Sequence, residues 1–182
     1  MNLIELVNLG KRLYYSPEQY ARKLGVKIGN NCWIGTHNFG SEPYLVTIGN
    51  HVQITDNVAF FTHGGGWGFR NKIPDLDFFG KIIVKDNVYI GSGSYILPGV
   101  TIESDVIVAA RSVVTKSIPK GFVVAGNPAK IIGTIEDYKN KIIKYNLKTK
   151  NLSTIEKIRV LKSADEASFI SKPYLDYPEK KS

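Results

Sequence analysis

The sequence predicts an all-β core in which short strands stack as a triangular coil, and three observations support this fold class. Large apolar residues recur every six positions in the second half of the chain: Val84, Ile90, Ile96, Ile102, Val108 and Val114. A small or branched residue follows each of them after four positions: Val88, Ser94, Val100, Val106, Ser112 and Ile118. Glycine and asparagine stand between these positions, in IGN, KDN and SGS, and both tolerate the positive φ of a tight corner.

The same spacing occurs earlier in the chain, at Ile28 and Ile34 and again at Ile48, Ile54 and Phe60. A period of six fits neither an α-helix nor the plain alternation of a half-buried strand. It fits strands that each send one large residue inward, with three strands per coil and each coil stacked on its neighbours. The coil is therefore expected to span residues 25–133.

Both ends of the chain predict helices. Residues 1–24 carry apolar side chains at helical spacing, and Ser16 followed by Pro17 is typical of a capped helix start. Residues 134–170 again show helical spacing, and the last dozen residues are expected to be loosely ordered. This gives an N-terminal helical segment (1–24), the coil (25–133), and a C-terminal helical extension with a basic tail (134–182).

The composition limits the classes of partner and compartment. A net charge of +8 favours an anionic partner, but no helix-turn-helix, zinc-ligand or RNA-recognition pattern indicates nucleic acid. A phosphate-bearing ligand or anionic lipid headgroups are the alternatives. The N-terminal stretch MNLIELVNLGKRLYYSPEQY fits neither a signal peptide nor a membrane span. The only cysteine, Cys32, excludes an internal disulfide and favours a reducing cytoplasm.

One long segment breaks the repeat. Between Phe60 and Val84 the stretch GGGWGFRNKIPDLDFFG supplies glycine, proline and charges where three further strands would need core residues. Residues 64–81 are therefore expected to leave the coil as a loop, and such loops are often functional. Because the loop carries Trp67, Phe69, Phe78 and Phe79, we expect an ordered arm that packs on a neighbouring subunit or covers a cleft.

The repeat and its interruption resemble the hexapeptide-repeat acyltransferases, whose fold is a left-handed parallel β-helix. ITDNVAFFTHGGGWGFR is similar to the segment that holds the catalytic histidine in the sugar O-acetyltransferases of this superfamily. The resemblance implies that His63 is the general base. It would take a proton from an acceptor hydroxyl, which then attacks the thioester of acetyl-CoA without an acyl-enzyme. Gly64 replaces an aspartate common in the family, so a backbone carbonyl is the alternative group to orient the His63 ring.

The same resemblance implies the residues that hold the two substrates. DNVYIGSGSYILPGV and VAARSVVTKSIPKGFVVAGNPAKIIG are similar to the family's signature and to its coenzyme-binding end. They indicate these donor-binding residues: Ser92, Ala110, Thr115, Lys116 and Lys130. Arg111 and Lys120 would add to the basic field around the phosphates. FGSEPYLVTIGNHV resembles a loop with an acceptor-binding carboxylate, which implies Glu42, and Trp67, Phe69 and Tyr89 are expected beside the acceptor.

The chain has two further histidines, His37 and His51, and one cysteine, Cys32. His51 is expected at an exposed corner, and His37 lies at a second interruption of the coil, where it is a further candidate for acceptor binding. The spacing of the three histidines along the chain does not match the coil period and does not suit convergence on a metal, so no metal is expected. Cys32 occupies an inward position of the repeat, which disfavours a nucleophilic role.

These inferences predict an acetyl-CoA-dependent O-acetyltransferase acting on a sugar or surface-polysaccharide precursor. A homotrimer is implied by the family, and the positive charge also allows peripheral contact with anionic membrane. Acetylation of an amine on a nucleotide sugar, or of an antibiotic, is the alternative that keeps the donor. A non-catalytic β-helical scaffold is the alternative from another class, and the interrupted coil with its histidine argues against it.

Overall fold

The computed structural model describes residues 14–174, and its first compact unit, which ends at Glu136, is a parallel β-helix with three faces. Face 1 consists of β1 (Lys27–Ile28), β3 (Val46–Ile48), β6 (Ile82–Val84) and β9 (Thr101–Ile102). Face 2 consists of β2 (Trp33–Ile34), β4 (Gln53–Ile54), β7 (Val88–Ile90), β10 (Val106–Val108) and β12 (Phe122–Ala125), with β13 (Lys130–Thr134) antiparallel at its edge. Face 3 consists of β5 (Ala59–Phe60), β8 (Tyr95–Ile96) and β11 (Val113–Val114). The predicted fold class is confirmed.

The six-residue spacing becomes the core because each strand places its repeat residue on the inside. Ile54, Phe60, Ile90, Ile96, Ile102 and Val108 have no measurable exposure, and Val84 and Val114 are 1% exposed. In β7 and β8 the neighbouring residues Tyr89 and Tyr95 face outward and stay accessible. Cys32, by contrast, is only partly buried and packs at the edge of this core.

The corners between faces hold residues in the left-handed conformation. Asn31, His51, Asn87 and Asp105 have φ between 54° and 59° at the corner between faces 1 and 2. The side chains of His51, Asn87 and Asp105 form a ladder along the coil axis. Nδ1 of His51 lies 2.8 Å from Oδ1 of Asn87, whose amide donates to Asp105. His51 is thus an exposed corner residue, as expected.

Two insertions leave the coil at the same corner, between faces 3 and 1. Val84 pairs with Ile102, and the chain between them is one regular coil. The chain between Ile28 and its partner Ile48 is slightly longer than one regular coil. The chain between Ile48 and its partner Val84 is twice as long as one regular coil. The first insertion is a short loop (residues 39–45), and the second is the arm (residues 61–81), which adds a whole coil's length without joining the sheets. Because the insertions occur in consecutive coils, their first residues lie side by side.

The sequence also predicted helices before and after the coil. α1 (Pro17–Lys23) begins with a capping box between Ser16 and Gln19, as the Ser-Pro pair predicted. The rest of the predicted N-terminal helix, residues 1–13, and the tail from residue 175 lie outside the described residues. α2 (Ile135–Ile143) begins two residues before the second unit, whose described part is residues 137–174. α3 (Thr154–Ser163) lies within this unit, and residues 144–153 are not helical. Within residues 14–174 no helix has both the length and the apolar character needed to cross a membrane.

Candidate active site

The two insertions bring a histidine and a carboxylate together. Nδ1 of His63, at the root of the arm, lies 2.8 Å from Oε2 of Glu42 in the short loop. Thr62 donates its hydroxyl to the same Oε2 at 2.5 Å, and Thr62 itself is 1% exposed. The His63 side chain is 41% exposed and the Glu42 side chain 16%. This cluster, which we call the Glu42–His63 pair, therefore has a covered carboxylate and an accessible imidazole.

The carboxylate of Glu42 is held in its ionised form. The hydrogen bond from Thr62, and then the hydrogen bond and charge of His63, keep the pKa of the Glu42 carboxyl below its usual value, while burial acts in the opposite direction. An ionised carboxylate only accepts hydrogen bonds, so Nδ1 of His63 must carry the proton that it donates. The unprotonated nitrogen of a neutral His63 is then Nε2, which is the arrangement that a general base requires.

The orienting group of His63 differs from the sequence expectation. The sequence pointed to a backbone carbonyl because Gly64 replaces the usual aspartate, but the carboxylate comes from Glu42, in the insertion of the preceding coil. Glu42 was also expected to bind the acceptor, and this stays a prediction. In the structure its Oε2 accepts hydrogen bonds from Thr62 and His63. The sequence signal that could have revealed this contact is the position of both interruptions at the same corner of successive coils.

The arm covers one side of His63. The Phe79 ring packs edge-on against the imidazole with 5.8 Å between ring centroids, and the backbones of the two residues form an antiparallel bridge. The amide of Gly80 donates to the carbonyl of Thr62 at 2.8 Å. Farther out on the arm, Trp67 is 83% exposed and Phe69 is 60% exposed, so both rings remain accessible to a ligand or a partner.

The predicted donor-binding residues lie at both edges of face 3 and beyond it. Ser92 and Ala110 occupy the corner between faces 2 and 3, and the Ser92 hydroxyl donates to Thr55 at 3.0 Å. Thr115 and Lys116 follow β11, at the same corner as His63 but two coils later. Lys130 begins β13, after the GNP turn that closes the coil. A cleft of about 410 Å³ lies beside Ser92 and Arg111 and is also lined by Asn57 and Tyr95.

A second cleft extends face 3 toward the first coil. Its volume is about 360 Å³, its walls include His37, Asn38 and Phe61, and it shares Asn57 and Tyr95 with the cleft beside Ser92. Nε2 of His37 is buried without a hydrogen-bond partner in the described chain, and its ring packs edge-on against Tyr20. The two clefts together make a polar groove along face 3.

Tyr89 lies on face 2, away from the Glu42–His63 pair. It lines a separate cleft of about 390 Å³ together with Trp33, Gln53 and Ile107, its register neighbours on that face. In a three-sided coil, face 2 is opposite the corner that holds His63. One copy of the chain therefore does not bring Tyr89 and His63 to the same ligand.

The described residues contain no group of three or more histidine, cysteine, aspartate and glutamate side chains that could hold a metal ion. The chemistry available at the Glu42–His63 pair is proton transfer by an accessible, oriented imidazole. The exposed Lys116 and Lys130 offer point charges suited to phosphate groups.

Known proteins are similar to this chain in sequence and in fold. Residues 81–116 match the family model described as "Bacterial transferase hexapeptide (six repeats)". Protein CapG of Staphylococcus aureus is 51% identical over 144 residues, which are 77% of this chain and 84% of CapG. Galactoside O-acetyltransferase of Escherichia coli K12 is 32% identical over 130 residues, which are 71% of this chain and 64% of that enzyme.

Solved structures give the same result. A hexapeptide-repeat acetyltransferase from Vibrio cholerae, crystallised with acetyl coenzyme A, superimposes with a TM-score of 0.56 at 31% identity, covering 61% of each chain. The repeat, the three-faced coil and these relatives agree, and the chain belongs to the family of hexapeptide-repeat acyltransferases with a left-handed parallel β-helix.

Proposed function

We propose that this protein transfers the acetyl group of acetyl-CoA to a hydroxyl of a sugar or surface-polysaccharide precursor, with His63 as general base. The observation that carries the proposal is the Glu42–His63 pair, because it fixes the tautomer in which Nε2 can accept a proton. The galactoside O-acetyltransferase relative supports a carbohydrate acceptor, and the acetyl-CoA complex of the Vibrio relative supports the donor. The free thiol of Cys32 suits a reducing, cytoplasmic setting.

The reaction needs two proton transfers, the formation of a C–O bond to the acceptor, and the cleavage of the thioester C–S bond. Nε2 of His63 takes the acceptor's hydroxyl proton as the oxygen attacks the thioester carbonyl carbon. The tetrahedral oxyanion needs a hydrogen bond from a backbone N–H beside the bound thioester. When the C–S bond breaks, the coenzyme A sulfur leaves and takes the proton from the imidazolium. Glu42 stays ionised throughout and stabilises the transient positive charge of His63.

The donor is proposed to lie along face 3. Ser92 and Ala110 border this face at one edge, and Thr115 and Lys116 border it at the other. Adjacent coils are about 4.8 Å apart, so the two coils from His63 to Lys116 correspond to about 10 Å along the axis. An extended ligand can span this distance, with its thioester near His63 and its phosphates near Lys116 and Lys130.

The site is proposed to be completed in a homotrimer. Tyr89 lies on the face opposite His63 of its own chain, so it can serve as an acceptor-binding residue only if a neighbouring copy presents it. The exposed Trp67 and Phe69 of the arm are suited to the same groove between two copies. Glu42 would act on the acceptor through His63 rather than by direct contact.

The first test measures donor binding by calorimetry. Saturable acetyl-CoA binding is expected, and the Lys116→Ala/Lys130→Ala variant should bind more weakly because two phosphate contacts are lost. Release of the coenzyme A thiol is then followed with a panel of galactosides and other sugars. His63→Ala should retain donor binding but lose about 10²- to 10⁴-fold in turnover.

His51→Asn is the matched control, because it changes a histidine at an exposed corner and asparagine tolerates the left-handed backbone found there. Its turnover should equal that of the wild type. Absence of donor binding at millimolar acetyl-CoA, or full activity of His63→Ala, would overturn the proposed function.

A further inference from the structure

The second unit carries exposed apolar side chains. Neither α2 nor α3 contains a buried residue, and no residue from 137 to 174 is buried. Ile155 is 72% exposed, Ile143 is 60% exposed and Ile158 is 48% exposed. Helices of nine and ten residues are marginal in water without tertiary packing, so their apolar faces need a covering surface.

The net charge of the second unit indicates which kind of surface covers these apolar faces. Residues 137–174 contain nine lysines and arginines against four aspartates and glutamates, a net charge of +5. The described part of the first unit, residues 14–136, contains eleven against nine, a net charge of +2. A second copy of the chain is therefore positive as well and does not complement this unit. An anionic surface does.

The order of side chains around α3 fits a lipid surface in detail. On a helix of 3.6 residues per turn, Ile155, Ile158 and Leu161 share one face, and Lys157 and Arg159 lie at its two borders. Lys162, in the last turn, lies on the same face and adds a third basic side chain to it. Long basic side chains at such borders can place their charge among headgroups while their stems cover apolar surface.

The only acid of α3, Glu156, lies about 160° from Ile158 around the helix. It is engaged in the capping box with Ser153, whose side-chain hydrogen bond lowers the pKa of the Glu156 carboxyl. The apolar face and its basic borders thus carry no negative charge in α3.

We propose that the second unit, through the Ile155–Ile158–Leu161 face of α3 and the exposed apolar side chains of α2, binds the surface of membranes that contain anionic lipids. The unit would lie on the membrane without crossing it. This binding is independent of acetyl transfer, and it would keep the β-helix near acceptors attached to lipid.

The test is co-sedimentation of the full chain with phosphatidylcholine vesicles, with and without phosphatidylglycerol. Binding is expected with the anionic vesicles only, and it should fall as salt rises. Ile155→Asp/Ile158→Asp should weaken binding at least about tenfold, since it places charge on the face that enters the interface. Lys157→Glu/Arg159→Glu should weaken it by about tenfold or more, since each basic residue near the surface contributes to attraction.

Lys72→Glu/Lys85→Glu is the matched control, because it makes the same charge change at exposed positions of the first unit. It should bind within about twofold of the wild type. All substituted positions are solvent-accessible, and circular dichroism checks that each variant is folded.

Three results would overturn the proposal. Equal binding to neutral and anionic vesicles would show that the basic borders have no role. If Lys72→Glu/Lys85→Glu lost as much binding as Lys157→Glu/Arg159→Glu, the effect of charge would be nonspecific. Absence of vesicle binding, with a fall in oligomeric mass for Ile155→Asp/Ile158→Asp in light scattering, would assign this face to a second copy of the chain.

Discussion

At the scale of single residues, the proposed function rests on Glu42 holding His63 in one tautomer. Glu42→Gln keeps the shape of the side chain but lets its amide donate toward Nδ1, which can reverse the tautomer. We expect kcat to fall about 10- to 100-fold with little change in KM, because a misoriented catalytic group affects the transition state more than substrate binding. Steady-state kinetics of the purified variant measure this. Glu42→Asp should recover part of the loss.

A direct contact between Glu42 and the acceptor would give a different result. KM for the acceptor would then rise strongly while kcat changed less, since a contact made equally in ground and transition states would be lost. The same measurement therefore separates the positioning role proposed from the Glu42–His63 contact from the acceptor-binding role that the sequence suggested.

The lowered pKa of Glu42 also predicts a dependence of stability on pH. A carboxyl whose pKa is lower in the folded chain stabilises the fold above its unfolded pKa, and this contribution is lost as pH falls through the folded pKa. Glu42→Gln should thus be less stable than the wild type at neutral pH. The difference should shrink below the ordinary value of 4.5. Urea unfolding at several pH values measures it, and a constant difference across this range would contradict the coupling.

Gly40 is required where the short loop leaves the coil. Its φ is +71°, and a Cβ there would lie 2.8 Å from the Phe60 carbonyl oxygen and 3.2 Å from Oγ1 of Thr62. Gly40→Ala should therefore destabilise the fold and disturb the Glu42–His63 pair. Gly99 occupies the equivalent corner two coils later, with φ +82° and nothing within 4 Å of its Cβ.

Gly99→Ala measures only the cost of placing a side chain on a left-handed backbone, because its Cβ meets no neighbouring atom. This cost is about 1–2 kcal/mol in the free energy of unfolding. We expect Gly40→Ala to cost at least about 1 kcal/mol more, because backbone must also move. Chemical denaturation of both variants gives the comparison. Equal losses would mean that the close approach at Gly40 is unimportant.

At the scale of elements, the arm is separable from the coil. β3 pairs with β6 and β5 pairs with β8 directly, so the sheets do not use the arm. Deleting positions 64–81 leaves Phe60 and Val84 at the six-position spacing of the regular repeat. We expect this variant to keep its β-sheet circular dichroism and to lose acetyl transfer, because Phe79 and the arm no longer cover His63. Retained activity would show that the arm is dispensable to the site.

The repeat could be predicted from sequence because it is local. Each inward residue, such as Ile90 or Ile96, is specified by its own six-residue neighbourhood, and the corners by asparagine and glycine. The partner of His63 could not be found in this way. Glu42 is distant along the chain, and it meets His63 only because both insertions leave the same corner. The break between α2 and α3 was also missed, since apolar spacing continues on both sides of residues 144–153.

At the scale of the whole molecule, the roles proposed for His63 and Tyr89 require active sites that are shared between copies. His63 lies at the corner between faces 3 and 1, whereas Tyr89 lies on face 2, across the coil from it. We expect His63→Ala and Tyr89→Ala to be impaired when each is assembled alone. In trimers assembled from both, some sites would combine His63 of one copy with Tyr89 of the next, and these sites would be intact.

Random assembly of equal amounts of the two variants should restore about a quarter of wild-type turnover, since each shared site draws its two residues independently. Co-refolding followed by an assay of thiol release measures this, and mixing folded homotrimers that do not exchange subunits is the control. If His63 and Tyr89 served the same site within one chain, every site of the mixture would lack one of them. Activity would then stay at the mean of the two variants, and the shared-site arrangement would be wrong.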